Sequence, residues 1–306
     1  MIVRYSVLFV TLFTGPSAAI LQQFQSPDPQ VLPPGLTVSV ETEKTAFRVG
    51  ERISVGVRLA NVGTQTVDVS PILEPQANWI SFFVRDQRGR EVKFIGKRFK
   101  MDWVLEPMQI EPGCFWGREF DLSKLFDVSR PGRYTVRGLY APAGPTATGA
   151  FAALFTEQIQ LTIKDVSSPA EHPPQSEQAV ASSIITSLER IDGSSGSATL
   201  VGVRLANRGD TSVELEPRSD PAVTFDVTDE AGRRIEPVQR PAKQNLIRRP
   251  IRLAPGFFWG RAFDLGRTFN LKTGRYLVRA RHDVAAPANV RSTVTEPVEI
   301  EIRQKS

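Results

Sequence analysis

Two stretches of this chain are written twice, in the same order. Gly56-Val57-Arg58-Leu59-Ala60-Asn61-Val62-Gly63 returns as Gly202-Val203-Arg204-Leu205-Ala206-Asn207-Arg208-Gly209, and Phe115-Trp116-Gly117-Arg118-Glu119-Phe120-Asp121-Leu122 returns as Phe258-Trp259-Gly260-Arg261-Ala262-Phe263-Asp264-Leu265. Weaker echoes keep that order: Pro112-Gly113 with Pro255-Gly256, Gly132 to Arg137 with Gly274 to Arg279, and Thr156-Glu157 with Thr295-Glu296. The spacing between copies drifts by only a few residues from front to back. That is the behaviour of a scaffold used twice, with insertions confined to its loops.

The scaffold reads as all-β. Leu36, Val38 and Val40 alternate with Thr37, Ser39 and Glu41, and after a Val49-Gly50-Glu51 turn Ile53, Val55, Val57 and Leu59 alternate again. Period-2 alternation puts one face of a strand on a core and the other in water, which suits antiparallel sheets. Asn61-Val62-Gly63 and Asn207-Arg208-Gly209 end the same strand, and the glycines are expected to take positive φ where the chain reverses. Asp86-Gln87-Arg88-Gly89 and Asp229-Glu230-Ala231-Gly232 carry Asp first and Gly last, the signature of a type I turn in a hairpin. Asp121 and Asp264 close the Phe-Trp-Gly-Arg strand and are placed to cap a short turn beginning at Leu122 or Leu265. Tyr134 and Val136, with Ile159, Leu161 and Ile163, complete the first core; Tyr276, Val278, Val298, Ile300 and Ile302 answer in the second. The 23 Pro and 22 Gly along the chain agree with many turns.

The predicted organisation is a signal peptide over 1–19, a Pro/Gln-rich spacer over 20–35, a sandwich over 36–164, a Pro-rich linker over 165–178 and a second sandwich over 179–303. The linker reading makes the two modules separate beads. Arg4 supplies a positive start to the signal, Ser6 to Phe13 an apolar core, and Ser17-Ala18-Ala19 small residues for cleavage. The apolar run is shorter than the ~20 residues of a spanning helix, so a secreted or periplasmic location is expected, with no transmembrane segment after cleavage. No Cys follows that run to take a lipid. Cys114 is the single cysteine, so no internal disulfide can form; it aligns with Phe257 and reads as an apolar filler. The net charge of +5 permits anionic partners without requiring nucleic acid.

The order of hairpin turn, Pro-Gly, aromatic strand ending in Asp-Leu, and Pro-Gly-Arg-Tyr-Thr-Val is similar to immunoglobulin-like β-sandwich modules of secreted bacterial proteins. Within them it resembles the small sandwich family named for an intracellular proteinase inhibitor. The residues that carry the likeness are Phe83-Val84-Arg85-Asp86 to Gly89, Ile110-Glu111-Pro112-Gly113 and Pro131-Gly132-Arg133-Tyr134-Thr135-Val136. The resemblance implies two tandem immunoglobulin-like antiparallel β-sandwich domains and no inhibitory residues.

Catalytic and cofactor motifs are missing from the sequence. His172 and His282 are the two histidines, too few for a His-based metal site, and there is no G-x-S-x-G, H-E-x-x-H, P-loop or dinucleotide fingerprint. The reading is therefore not an enzyme, with no cofactor, no metal and no catalytic residues, although carboxylate pairs from distant strands stay open at this point. Three binding candidates stand out. Trp116 and Trp259, with Arg118 and Arg261 two residues on, either stack on a ligand or pack at the core edge. Lys93, Lys97, Arg98, Lys100 and Trp103, answered by Arg240, Lys243, Arg248 and Arg249, form basic loops at one place in both repeats, suited to an anionic envelope component or an acidic protein. Ala141 to Ala153 is a small-residue loop that serves as a contact tip or a plain connection. Together these describe an exported, non-enzymatic binding or structural protein that contacts a macromolecule at the envelope or outside the cell. The alternatives are a proteinase inhibitor of the sandwich type and an accessory spacer in a larger assembly.

Overall fold

Alternation over 80–86 and 132–140 is carried through in the computed structural model, which describes residues 33–75, 80–97, 107–141, 153–165, 184–191, 200–215, 223–238, 250–286 and 289–302; for 283–286 and 289–293 the backbone alone is described. The first repeat supplies β1 (Leu36–Glu41), β2 (Ala46–Arg48), β3 (Ser54–Asn61), β4 (Val67–Val69), β5 (Ile80–Asp86), β6 (Met108–Ile110), β7 (Cys114–Asp121), β8 (Gly132–Tyr140), β9 (Leu154–Phe155) and β10 (Ile159–Lys164). The second supplies β11 (Ile184–Ile191), β12 (Leu200–Asn207), β13 (Val213–Leu215), β14 (Thr224–Asp229), β15 (Arg234–Ile235), β16 (Ile251–Leu253), β17 (Phe257–Asp264), β18 (Gly274–Ala286), β19 (Asn289–Val294) and β20 (Val298–Ile302). The protein is all-β. Among the described residues the strand pairings are antiparallel apart from β2, which runs parallel to β10.

The two repeats are not separate beads. A six-stranded sheet in the order β1-β3-β7-β17-β12-β11 takes three strands from each and joins them through β7 and β17. In that central pair Trp116 faces Trp259, Gly117 faces Phe258 and Phe115 faces Gly260, so each motif residue meets the other copy about a local dyad at the tryptophans. Backbone bonds from Glu119 N–H to Gly256 O (2.9 Å) and from Ala262 N–H to Gly113 O (2.8 Å) extend the ladder evenly on both sides. The expectation of separate modules does not hold for the described strands, because β7 pairs with β17 across the repeats, and such a pairing leaves no trace in the composition of a linker.

The sheet's inner face is predominantly apolar. Val55, Val57, Leu59, Cys114, Trp116 and Phe120 share one buried cluster with Val201, Val203, Leu205, Phe257, Trp259 and Phe263. The sheet β2-β10-β8-β5, with β9 also on β8, contributes Val84, Tyr134, Val136 and Leu161 to that cluster, and the sheet β15-β14-β18-β19, with β20 also on β18, contributes Val227, Tyr276, Val278 and Ile300. Val57, Leu59, Tyr134 and Val136, with Val203, Leu205, Tyr276 and Val278, are all buried, as the alternation requires.

Polar side chains fix the turns. Asn61 donates from Nδ2 to Gln65 O (2.7 Å) and Ile110 O (2.8 Å) and accepts at Oδ1 from Gly63 N–H (3.0 Å); Asn207 makes the same three bonds with Thr211, Leu253 and Gly209. Gly63 does not adopt the positive φ expected of it. A Cβ there would come within 3.0 Å of Pro34 O, so the residue is small because another segment passes close. Asp121 accepts from Ser123 N–H (3.2 Å) at the start of the 3₁₀ turn Leu122–Lys124, and Asp264 accepts from Gly266 N–H (3.0 Å) at the short helix Leu265–Thr268.

Candidate functional site

The outer face of the six-stranded sheet carries a charged cleft over the dyad. Arg58 of β3 and Arg204 of β12 stack on Phe115 and Phe258, with guanidinium carbons 5.3 and 3.6 Å from the ring centroids. Each arginine then reaches across to the other repeat. Arg58 pairs with Glu189, while Arg204 bonds Glu41 (2.7 Å) and Glu119 (2.7 Å). Arg208 joins through Glu43 and Glu119. A cavity of about 300 Å³ lies among these groups, lined also by Thr42, Ser54, Gly56 and Arg190. Burial pushes the Glu189 carboxyl above its ordinary range; Arg58 pulls it back, and Glu41 adds to the rise. The cleft is self-neutralising: Glu41, Glu43, Glu119 and Glu189 are engaged by arginines, two of which, Arg58 and Arg204, are themselves held on aromatic rings.

The tryptophans of the repeated motif lie on the opposite, inner face. Trp116 and Trp259 are 4% and 5% exposed, with ring centroids 6.5 Å apart. Neither is available to stack on a ligand. Arg118 shares that face, between the rings of Phe120 (5.3 Å) and Phe257 (4.8 Å), and pairs with Glu74. Arg261 stands opposite Cys114 in β7 and Val203 in β12. The Asp121 carboxylate is occupied by its cap.

Of the basic loops, Lys93 and Lys97 are exposed. Arg98, Lys100, Trp103, Arg240, Lys243, Arg248 and Arg249 lie outside the described residues, as does the loop 142–152. Among the described residues no group of three His, Cys, Asp or Glu comes together to hold a metal, and no helix is long and apolar enough to cross a membrane.

A basic face does stand on described strands. On β8 the residues pointing away from the core are Arg133, Thr135, Arg137 and Leu139. Register places Arg85 of β5 beside Thr135 and Phe83 beside Arg137, while Phe155 of β9 lies beside Leu139. Phe83 and Phe155 are 41% and 52% exposed, with centroids 6.3 Å apart, and the Arg137 guanidinium sits 4.5 Å from the Phe155 centroid while its Nε donates to Thr156 O (3.1 Å). Arg85, Arg133 and Arg137 have no ion pair among the described residues. The sequence reading sought charge in loops; the signal available was Arg133 and Arg137, four residues apart on the outward face of a strand whose inward positions are apolar.

The second repeat shows the same frame with more acidic neighbours, and Asp226 in it pairs with Arg234 (3.3 Å). Arg275 and Arg279 stand where the first repeat has Arg133 and Arg137, but Asp226 replaces Phe83, Glu299 replaces Gln160 and Glu301 replaces Thr162 as cross-strand neighbours. Arg275 lies within 3.8 Å of Glu299 and 3.9 Å of Glu230.

No protein-family model matches the chain, and no curated protein matches it. Among solved structures, a crystal structure of YadV chaperone is similar at 12% identity over 84% of this chain and 98% of that chain, with a TM-score of 0.22.

Proposed function

We propose that this chain is an exported, non-enzymatic binding protein whose two immunoglobulin-like sandwiches are fused through one sheet and present a basic face to an anionic macromolecule at the cell envelope or beyond it. The immunoglobulin-like reading is supported by a tyrosine bond repeated in both copies. Tyr134 OH donates to Arg130 O (2.8 Å) and Tyr276 OH to Lys272 O (3.0 Å), each near the start of a strand and four residues upstream. Export is supported by the n-region, apolar core and small residues of 1–19.

The observation that carries the binding reading is the placement of Arg85, Arg133 and Arg137 on one sheet face with no ion pair among the described residues, Glu91 standing across from Arg85 on the side away from β8. A surface arginine without a partner contributes little to folding and is free to meet an anion. The engaged carboxylates of the central cleft support a framework role for that cleft. Retention of the full chain on immobilised polyglutamate, followed as salt is raised, tests the reading. Binding that weakens steeply with salt and drops in Arg85→Ser/Arg133→Ser/Arg137→Ser supports it; equal retention of a folded triple variant sinks it. Amino-terminal sequencing of protein recovered outside the cytoplasm checks export, the expected first residue being Ile20.

A further inference from the structure

We infer that the face of β5 and β8 docks an extended acidic segment of a partner protein, with acidic side chains at every second residue followed by one apolar side chain; this rests on the anionic-partner reading above. Along β8 the outward positions Arg133, Thr135, Arg137 and Leu139 are two residues apart, and Arg85 stands beside Thr135. The three guanidinium-bearing positions therefore advance in two-residue steps of about 6.7 Å, staggered between neighbouring strands. A chain in extended conformation repeats its side chains on one face at that same step. Acidic residues at alternate positions meet the track in register, whereas a run of adjacent acids points half of them away.

The track ends in an apolar patch. Phe83 and Phe155 lie together over the level of Arg137 and Leu139, and Arg137 is already ordered by Phe155 and by the Thr156 carbonyl. An apolar residue two positions beyond the last acid reaches those rings. The second repeat differs at the same places: Asp226, Glu299 and Glu301 are the cross-strand neighbours there, with Glu299 near Arg275 and Asp226 held by Arg234 (3.3 Å). In the first repeat those places hold Phe83, Gln160 and Thr162.

The test uses the full chain and two labelled peptides of one composition, Glu-Thr-Glu-Thr-Glu-Thr-Phe and Glu-Glu-Glu-Thr-Thr-Thr-Phe, in fluorescence anisotropy. The alternating peptide should bind several-fold more tightly. Phe83→Asp/Gln160→Glu/Thr162→Glu, which copies the second repeat's residues onto the first, should weaken binding by about tenfold or more, as several partly screened ion pairs are lost together. Circular dichroism confirms the fold of that variant. Equal affinity for the two peptides, or a folded variant that binds as before, overturns the proposal. Salt-sensitive binding to phosphatidylglycerol vesicles or to polygalacturonate without binding to either peptide also overturns it, while leaving the anionic-partner reading in place.

Discussion

Phe258 occupies the space that a side chain on Gly117 would need. A Cβ built there falls 2.1 Å from Phe258 Cζ and 2.3 Å from the Val57 carbonyl oxygen, and the relation is returned by Gly260, whose Cβ would meet Phe115 Cζ at 2.1 Å and Val203 O at 2.6 Å. The repeated Phe-Trp-Gly is thus a joint, with each copy providing the ring that fills the other's gap. Gly117→Ala should destabilise the protein by about 1–3 kcal/mol, as overpacking does, read as a lower urea midpoint. Phe258→Ala should cost about 3–5 kcal/mol. Because part of the conflict is with the Val57 backbone, Phe258→Ala should not rescue Gly117→Ala; full rescue would place the entire conflict in the ring.

Asn61 and Asn207 each satisfy two carbonyls and one amide from a buried position. Replacing either with Ala strands those groups and should cost about 2–4 kcal/mol in urea unfolding. Asp should do no better, since a carboxylate cannot donate to Gln65 O and Ile110 O. An Asn61→Asp protein as stable as the parent at neutral pH would refute this account.

Strand content, the aspartate turns and the caps were legible because each depends on a few neighbouring residues: Asp86 and Asp229 begin their turns, and Asp121 and Asp264 hold the next N–H groups. The joint was not. Phe115 and Gly117 fall on the face where Glu119 and Asp121 also lie, and an aromatic there is explained by a strand from elsewhere in the chain. The basic face needed two registers at once, because Arg133 and Arg137 become significant when Phe83, Gln160 and Thr162 are known to flank them. Gly63 was misread for a related reason: its size answers Pro34, a contact that local turn rules do not contain.

Stability should respond to pH with opposite signs at two places. Glu189 has its carboxyl raised by burial despite Arg58, so the folded state binds the proton more tightly than the unfolded chain. Its contribution is fully present below the unfolded value of 4.5 and is lost as pH rises through the higher folded value. Asp86 is held low by the Arg90 side chain and Asp229 by the Arg233 backbone N–H, with Arg233's side chain adding to it. Their contribution is present above the unfolded value of 3.8 and lost as pH falls through the folded one. Urea titrations should show Glu189→Gln gaining on the parent as pH rises above 4.5; a constant difference across that range would remove Glu189 from the explanation.

The two tyrosine bonds invite a matched pair of tests. Tyr134→Phe should cost about 1 kcal/mol, the net worth of a hydrogen bond, and Tyr276→Phe somewhat more, because its hydroxyl also accepts from Lys272 N–H (3.1 Å). Tyr140 is more deeply placed, and burial pushes its hydroxyl up to about 12. In an alkaline absorbance titration it should ionise late, and Tyr140→Phe should delete that step.

The pairing of β7 with β17 sets a schedule for synthesis. The ribosome completes the first half of the chain well before the second copy of the motif exists, an interval on the order of ten seconds at typical elongation rates. Throughout that interval the β7 ladder has one side open, and an open strand edge is a template for another chain. The gap beside Gly117 accepts a phenylalanine flanked as Phe258 is, and the nearest such sequence on a crowded message belongs to the neighbouring nascent chain. The competitor that the growing protein must outrun is therefore the first half of another copy of itself.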